Sequence, residues 1–280
     1  MEDYSLADIE ITVENRIGIV TLNRPNQRNA ITLSMWRSLA TIFGELGTNE
    51  EVRAIILTGS GGNFSVGADI SEFASLRDSA SQSFDYELSV DVASEAIATT
   101  PKPVVAAISG YCLGGGCHLA LACDFRMLRQ SAVTGIPAAR LSIVYGVRST
   151  KRLVSIVGPT QAKNLLFSAK TIDADTALKI GFATAVSEDP LLLAIDYASG
   201  IVSNAPLSIS GAKFIIDGLT KGVGSLDVSD AQVVIDLASR SEDYLEGRKA
   251  FSEKRAPVLK VIKAHLLFLK IASAGVRSSY

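Results

Sequence analysis

Two glycine-containing turns carry the strongest chemical signal in this sequence. The first is Phe64–Ser65–Val66–Gly67–Ala68–Asp69–Ile70; the second is Gly114–Gly115–Gly116, which opens the apolar run Cys117–Cys123. Each turn can present free backbone N–H groups, the second at a helix N-terminus where the macrodipole also favours negative charge. Two such donors aimed at one point form an oxyanion hole, suited to a thioester carbonyl on its way to an enolate or a tetrahedral adduct. Tight packing turns would look the same from composition alone. His118 follows the second turn, and its ordinary pKa of about 6.5 suits proton transfer near neutrality. A partly buried imidazole hydrogen-bonded to backbone is the other reading of that residue.

Several alternative chemistries lack their residues. Gly59–Ser60–Gly61 follows a strand-like run, but Phe64 stands where a dinucleotide fingerprint needs its third glycine. There is no Walker-type Gly–Lys–Ser/Thr and no G-x-S-x-G nucleophile elbow. Cys112, Cys117 and Cys123 lack metal-ligand spacing and there are only two histidines, so the cysteines read as buried apolar residues and no metal is expected.

The elements that position the turns follow from patterning. Of 280 residues 48% are apolar and 20% charged, the balance of a folded, core-rich chain. Lys and Arg number 27 against 29 Asp and Glu, so no basic field favours nucleic acid. Three cysteines show no disulfide framework, and the acidic start MEDYSLADIE lacks a leader pattern, so a cytoplasmic location is expected. Between Lys102 and Asp124 lie 21 residues without formal charge, long enough for a membrane span. Their central glycines argue instead for a buried strand, a tight turn and a buried helix. Ile9–Val13 and Ile17–Leu22 read as a hairpin, and Thr32 can cap a helix bearing Trp36, Leu39, Ile42, Phe43 and Leu46 at helical spacing. Ala54–Gly59 and PVVAAI read as buried strands, with a polar helix around Ser81–Ala98 between them; DFRML and AVTGIP read as short strands. From Gln161 the signals are almost all helical. The expected organisation is an α/β core over 1–195, a helical region over 196–260 and a basic amphipathic tail over 261–280. That tail could lie on a membrane surface or a partner, or simply pack as an ordinary helix.

The blocks VTLNRPNQRNAIT, AIILTGSGGNFSVGADISEF, PKPVVAAISGYCLGGGCHLALACDFRM and EGRKAFSEKR, in this order and spacing, resemble the crotonase (enoyl-CoA hydratase/isomerase) superfamily. The resemblance runs from about Ile9 to Lys260. It implies a spiral of ββα units with a helical C-terminal trimerisation region, and homotrimers or dimers of trimers. It also implies an acyl-CoA substrate of fatty acid metabolism, with coenzyme A arriving as part of the substrate and no separate cofactor. The thioester oxygen would be held by the amides of Ala68 and Gly115. The resemblance places the adenine end along Ser65, Val66 and the Asp69–Ile70 backbone, and matches Arg28 to a position that meets CoA phosphates. Phe251 and Lys254 match residues that cover CoA, often from a neighbouring subunit. For the residues themselves, Arg28 could be a solubilising arginine, and the Asp69 side chain is expected to cap a turn.

Hydratases of this superfamily use two glutamates, in a GGGCE pattern and a later PE pair. Here the matching positions are His118 and Ala138, in GGGCHLA and GIPAARL. Tyr145 falls where decarboxylases of malonyl-type thioesters in the superfamily carry a tyrosine; packing is its other reading. Arg140 and Arg148 lie on the same stretch and could meet an acyl carboxylate. Three functions are therefore expected to compete: a lyase or isomerase with atypical acid/base residues; a decarboxylase or thioester hydrolase using Tyr145, His118 or a water; and a catalytically silent CoA-ester-binding scaffold.

Overall fold

The computed structural model describes residues 4–6, 8–220, 222 and 224–260. Ten strands are present among them: β1 (Tyr4–Leu6), β2 (Ile9–Glu14), β3 (Ile17–Leu22), β4 (Ala54–Gly59), β5 (Val104–Ile108), β6 (Tyr111–Leu113), β7 (Phe125–Arg129), β8 (Val133–Gly135), β9 (Thr171–Asp173) and β10 (Ala185–Ser187). The helices are α1 (Leu33–Thr48), α2 (Phe73–Leu76), α3 (Ala80–Thr99), α4 (Gly115–Ala122), α5 (Val147–Ser168), α6 (Ala174–Lys179), α7 (Pro190–Val202), α8 (Pro206–Thr220), α9 (Val228–Ser239) and α10 (Glu242–Glu253). The larger sheet runs β1-β2-β3-β4-β5-β7-β10, antiparallel across the first three strands and parallel from β3 onward. The smaller sheet runs β6-β8-β9.

Successive chain turns feed both sheets, which makes the fold a spiral. β5 in the large sheet leads directly to β6 in the small one and then to α4; β7 leads to β8 and then to α5. Earlier turns reach the small-sheet layer through single bridges, Ile31 with Ala68 and Ser65 with Cys112. The central parallel strands β4 and β5 are almost wholly apolar because both faces are covered. Ile55 and Leu57 of β4 and Val104, Ala106 and Ile108 of β5 face the main core with Trp36, Leu39 and Phe43 of α1. Ala54, Ile56, Val105 and Ala107 face the other way, onto Ala194 and Ala198 of α7. The alternation of strand side chains sends neighbours to opposite layers.

The uncharged segment before Asp124 folds as β5, β6 and α4, with Gly110 and Gly114 at positive φ between them. Among the described residues no single helix is long and apolar enough to cross a membrane. Thr32 caps α1 by accepting from the Met35 N–H at 3.2 Å. Several elements depart from the expected pattern, among them β6, a strand inside the expected turn, and β1, ahead of the expected first strand. α5 begins at Val147 rather than near Gln161 and is interrupted at Gly158–Pro159, where Gly158 has φ +74°. β9 and β10 lie in a region read as helical. Each has three residues, too few for a periodic signal, and exists through pairing with β8 or β7. The expected 195/196 boundary falls inside α7. α8 and α9 form a small core of their own through Leu207 and Val234. Residues 261–280 lie outside the described residues.

Candidate active site

The loop after β3 is the first part of the site. Asn29 is fully buried in the left-handed region (φ +56°), which asparagine tolerates better than most residues. Its Nδ2 donates to Ser60 O at 2.9 Å and Asn63 O at 2.7 Å, and its Oδ1 accepts from the Arg24 N–H at 2.9 Å. This one side chain therefore ties the NRPNQRNA loop to the loop after β4. Arg24 completes the clamp, donating to Ala30 O at 2.7 Å and to Asp69 Oδ2 at 2.8 Å.

Ser65 organises the first glycine turn. Its Oγ donates to Asn29 O at 2.7 Å and accepts from the Gly67 N–H at 3.0 Å; its N–H donates to Tyr111 O and its carbonyl accepts from the Leu113 N–H, both at 2.9 Å. With its polar groups engaged inside the protein and its side chain fully buried, Ser65 supplies the shape of the turn. Gly67 has φ +99°, and a methyl there would lie 2.8 Å from Leu113 O and 2.9 Å from Gly115 N. Only glycine allows the two turns to approach this closely.

The two turns meet at the amides of Ala68 and Gly115. Around Ala68 the Ile31 N–H donates to Gly67 O at 2.8 Å and the Asp69 N–H donates to Ile31 O at 2.9 Å. This parallel bridge uses the groups on either side of Ala68 and leaves its own N–H without a protein acceptor among the described residues. Gly115 is the first residue of α4, where a helical N–H has no intrahelical partner. The Gly114 N–H is held by Gly135 O at 2.9 Å, and Gly114 O accepts from the His118 N–H at 3.0 Å, fixing the start of the helix. A methyl at Gly115 would stand 3.1 Å from Ala68 N and 3.1 Å from Trp36 Cζ2. Two unpaired N–H groups thus stand side by side beside a buried indole, the arrangement an oxyanion hole requires.

The side chains behind this pair are aromatic and uncharged. His118 is buried, edge-on between Trp36 and Tyr145, with both ring centroids at 6.1 Å. Its Nδ1 lies 2.5 Å from Ser149 Oγ. Burial, helped by the positive Arg152, lowers its pKa to about 3, so the imidazole is neutral through the physiological range. Tyr145 is half-buried, its O–H donates to Gly114 O at 3.5 Å, and burial pushes its phenol well above the ordinary value. Ala138 sits on the 3-10 turn Pro137–Leu141 and packs on the main core.

The His118 shift has a consequence for stability. An unfolded chain protonates this imidazole near its usual pKa of about 6.5, whereas the folded protein resists protonation down to about 3. The unfolded state therefore binds the extra proton across that window, and stability falls as pH drops through it. The slope from this one group is about 1.4 kcal/mol per pH unit. His118→Gln is expected to remove that part of the slope in urea unfolding compared at pH 4.5 and pH 6.5; an unchanged slope would contradict a neutral buried imidazole.

The remaining expected residues divide into rim and distant positions. Val66 is half-buried and Ile70 exposed on the first turn, and the Val66 N–H donates to Arg28 O at 3.1 Å. The exposed Arg28 guanidinium stacks over the Tyr111 ring at 5.3 Å, so a cation and an aromatic face share this rim. The Asp69 carboxylate caps the following turn through Ser71 and pairs with Arg24. These contacts, Ser71 first, lower its pKa, and its role is structural. Phe251 and Lys254 lie at the end of α10, where Phe251 is 88% exposed; among the described residues no hydrogen bond, ring contact or ion pair links them to the turns. Arg148 pairs with Asp91 and Glu95. Arg140 is exposed. Cys112, Cys117 and Cys123 are free and buried, and Cys117 donates to Cys112 O and Gly135 O at 2.9 and 3.1 Å. Among the described residues no three His, Cys, Asp or Glu side chains gather as a metal site would require.

Sequence reasoning passed over Asn29, Arg24, Trp36 as a wall of the site, and Ser149. Asn29 and Arg24 lie within a quoted motif, so their signal was available; Ser149 has none, because its partner is 31 residues away.

Comparison with known proteins identifies the family. The enoyl-CoA hydratase/isomerase family model matches residues 12–261. The short-chain-enoyl-CoA hydratase of Clostridium acetobutylicum is 34% identical over 254 residues, covering 89% of this chain and 96% of the relative. The crystal structure of an enoyl-CoA hydratase/carnithine racemase from Magnetospirillum magneticum superposes with a TM-score of 0.84 at 34% identity, over 91% of this chain and 96% of that one. That of an enoyl-CoA hydratase from Bacillus anthracis gives 0.81 at 32% identity, over 91% and 99% of the two chains. The spiral α/β fold and the match along nearly the whole chain lead to one conclusion: this protein belongs to the enoyl-CoA hydratase/isomerase family and has the crotonase fold.

Proposed function

We propose that this protein is a lyase that holds an acyl-CoA thioester oxygen at the amides of Ala68 and Gly115, and that it forms the thioester enolate by decarboxylation rather than by proton abstraction. The carrying observation is the pairing of two unpaired backbone donors with a neutral, weakly basic His118 and an Ala138 that has no proton to move. Water addition needs a general base and a general acid, and neither position provides one. Loss of CO₂ needs no base. The bond between the α-carbon and the carboxylate breaks, its electron pair enters the enolate, CO₂ departs, and the α-carbon later takes a proton from solvent. The donors at Ala68 and Gly115 stabilise the negative charge that develops on the thioester oxygen.

Tyr145 supports this reading because its hydroxyl reaches the Gly114 carbonyl, beside the hole. In the proposed complex it turns to orient the departing carboxylate. The rim of Arg28, Val66, Asp69 backbone and Ile70 accepts the CoA moiety, with Arg28 meeting phosphate through its forked donors. The working assembly is proposed to be a homotrimer or a dimer of trimers in which Phe251 and Lys254 come from the neighbouring subunit. Exposed Ile216, Leu219, Leu245 and Phe251 on α8 and α10 give such an interface its apolar surface.

The test is CO₂ release from malonyl-CoA by the purified protein. Tyr145→Phe is expected to lower kcat by at least about tenfold, the loss of one orienting hydrogen bond to a charged group. Binding of malonyl-CoA without turnover would instead identify a CoA-ester scaffold.

A further inference from the structure

Ser149 stands third in α5 and is 1% exposed, yet its hydroxyl does not cap its own helix. Among the described residues its one hydrogen-bond partner is the His118 ring: Nδ1 at 2.5 Å, with Nε2 at 3.3 Å from the same oxygen. A hydroxyl has one proton. If Ser149 accepted from a protonated Nδ1, that proton would be buried without an acceptor, an arrangement folded proteins avoid. Donation from Ser149 to Nδ1 satisfies the hydroxyl and puts the ring proton on Nε2. The one contact of Nε2 among the described residues is the same oxygen at 3.3 Å, so this proton is left for an acceptor on a bound ligand.

We propose that Ser149 is a positioning residue that holds His118 as the Nε2–H tautomer, so that this imidazole donates a hydrogen bond to an oxygen on the acyl group bound at Ala68 and Gly115. The inference rests on the acyl-CoA reading above and adds a substrate class. It selects thioesters with an acceptor oxygen at the third acyl carbon, a carboxylate or a keto group, over simple alkyl acyl groups. Gly115 and His118 are three residues apart on α4 and so share a helix face. Trp36 and Tyr145 each meet the ring edge-to-face at 6.1 Å and restrict its orientation. Arg152, fixed by Ser94 and Glu95, adds positive charge nearby and further disfavours an imidazolium. A nucleophilic Ser149 is disfavoured by the same facts, since a neutral imidazole of such low basicity takes up a serine proton poorly.

Nitrogen-15 NMR of histidine-labelled full-length protein tests the assignment, with the His118 signals identified by their loss in His118→Gln. The expected wild-type result is the Nε2–H tautomer from pH 5.5 to 8. Ser149→Ala is expected to shift the ring toward the Nδ1–H tautomer or a mixture. The same variant should lower the ratio of malonyl-CoA to butyryl-CoA affinity about tenfold, the worth of one hydrogen bond of this kind. An Nδ1–H tautomer in the wild type would overturn the proposal without recourse to any variant. So would tautomer populations unchanged in Ser149→Ala, or an acyl adduct on Ser149 in intact mass spectra. Any of these results with butyryl-CoA still bound defeats the Ser149 assignment alone; failure of both thioesters to bind defeats the acyl-CoA reading and the donor role with it.

Discussion

Gly67→Ala is expected to lower acyl-CoA turnover by at least about 10²-fold while leaving a folded but less stable protein. Two separate physical effects converge at this position. The backbone at φ +99° is strained for any residue with a side chain, and the added methyl would meet Leu113 O at 2.8 Å and Gly115 N at 2.9 Å. The contact can relax only if the two glycine turns separate, and that moves the Ala68 and Gly115 amides apart. Misplacing one donor of an oxyanion hole costs about 10²–10³ in kcat. The backbone strain adds a loss of about 1–3 kcal/mol in stability. Gly62→Ala separates the two contributions, because Gly62 also has positive φ (+78°) but has no heavy atom within 4 Å of its added methyl. It should lose stability and keep turnover. Thermal unfolding with kcat for the two variants checks the pair; equal losses of turnover would show that strain, and not the meeting of the turns, governs activity.

Crotonyl-CoA hydration is expected to be slower than in a two-glutamate hydratase by about 10²–10⁴-fold, the usual contribution of positioned acid/base groups. The oxyanion donors remain in place, so polarisation of the thioester persists. What is missing is activation of water. His118 is a poor base because burial removes the stabilisation that water gives an imidazolium, and Arg152 opposes the same charge. Ala138 packs on the core, and its methyl cannot move a proton. His118→Ala should therefore change residual hydration little. A rapid rate measured by loss of enoyl absorbance would show that another group activates water.

Much of the fold was legible because buried parallel strands and a capped amphipathic helix write themselves into local patterns. Ile55 and Ile56 belong to opposite layers, and a strand covered on both faces still shows as an apolar run. The glycine turns were legible for a different reason: their function uses backbone groups, and only glycine permits Gly67 to approach Leu113 and Gly115. The state of His118 was not legible. It depends on Ser149, Trp36, Tyr145 and Arg152, which reach it from other elements, and local sequence carries no record of that enclosure. β9 and β10 were missed because three residues have no period to read, and their existence comes from pairing partners. Ser65 was legible as a member of the first glycine turn, but the hydroxyl that joins Asn29 O to the Gly67 N–H was not, because Asn29 lies 36 residues away.

The central claim is that an intact oxyanion hole operates here without a general base. Its most direct measurement is the ratio of CO₂ release from malonyl-CoA to hydration of crotonyl-CoA by the same purified protein. The account predicts decarboxylation that outpaces hydration by at least about 10²-fold and is lost in Gly67→Ala. Fast hydration with no CO₂ release, unchanged by His118→Ala, would contradict it.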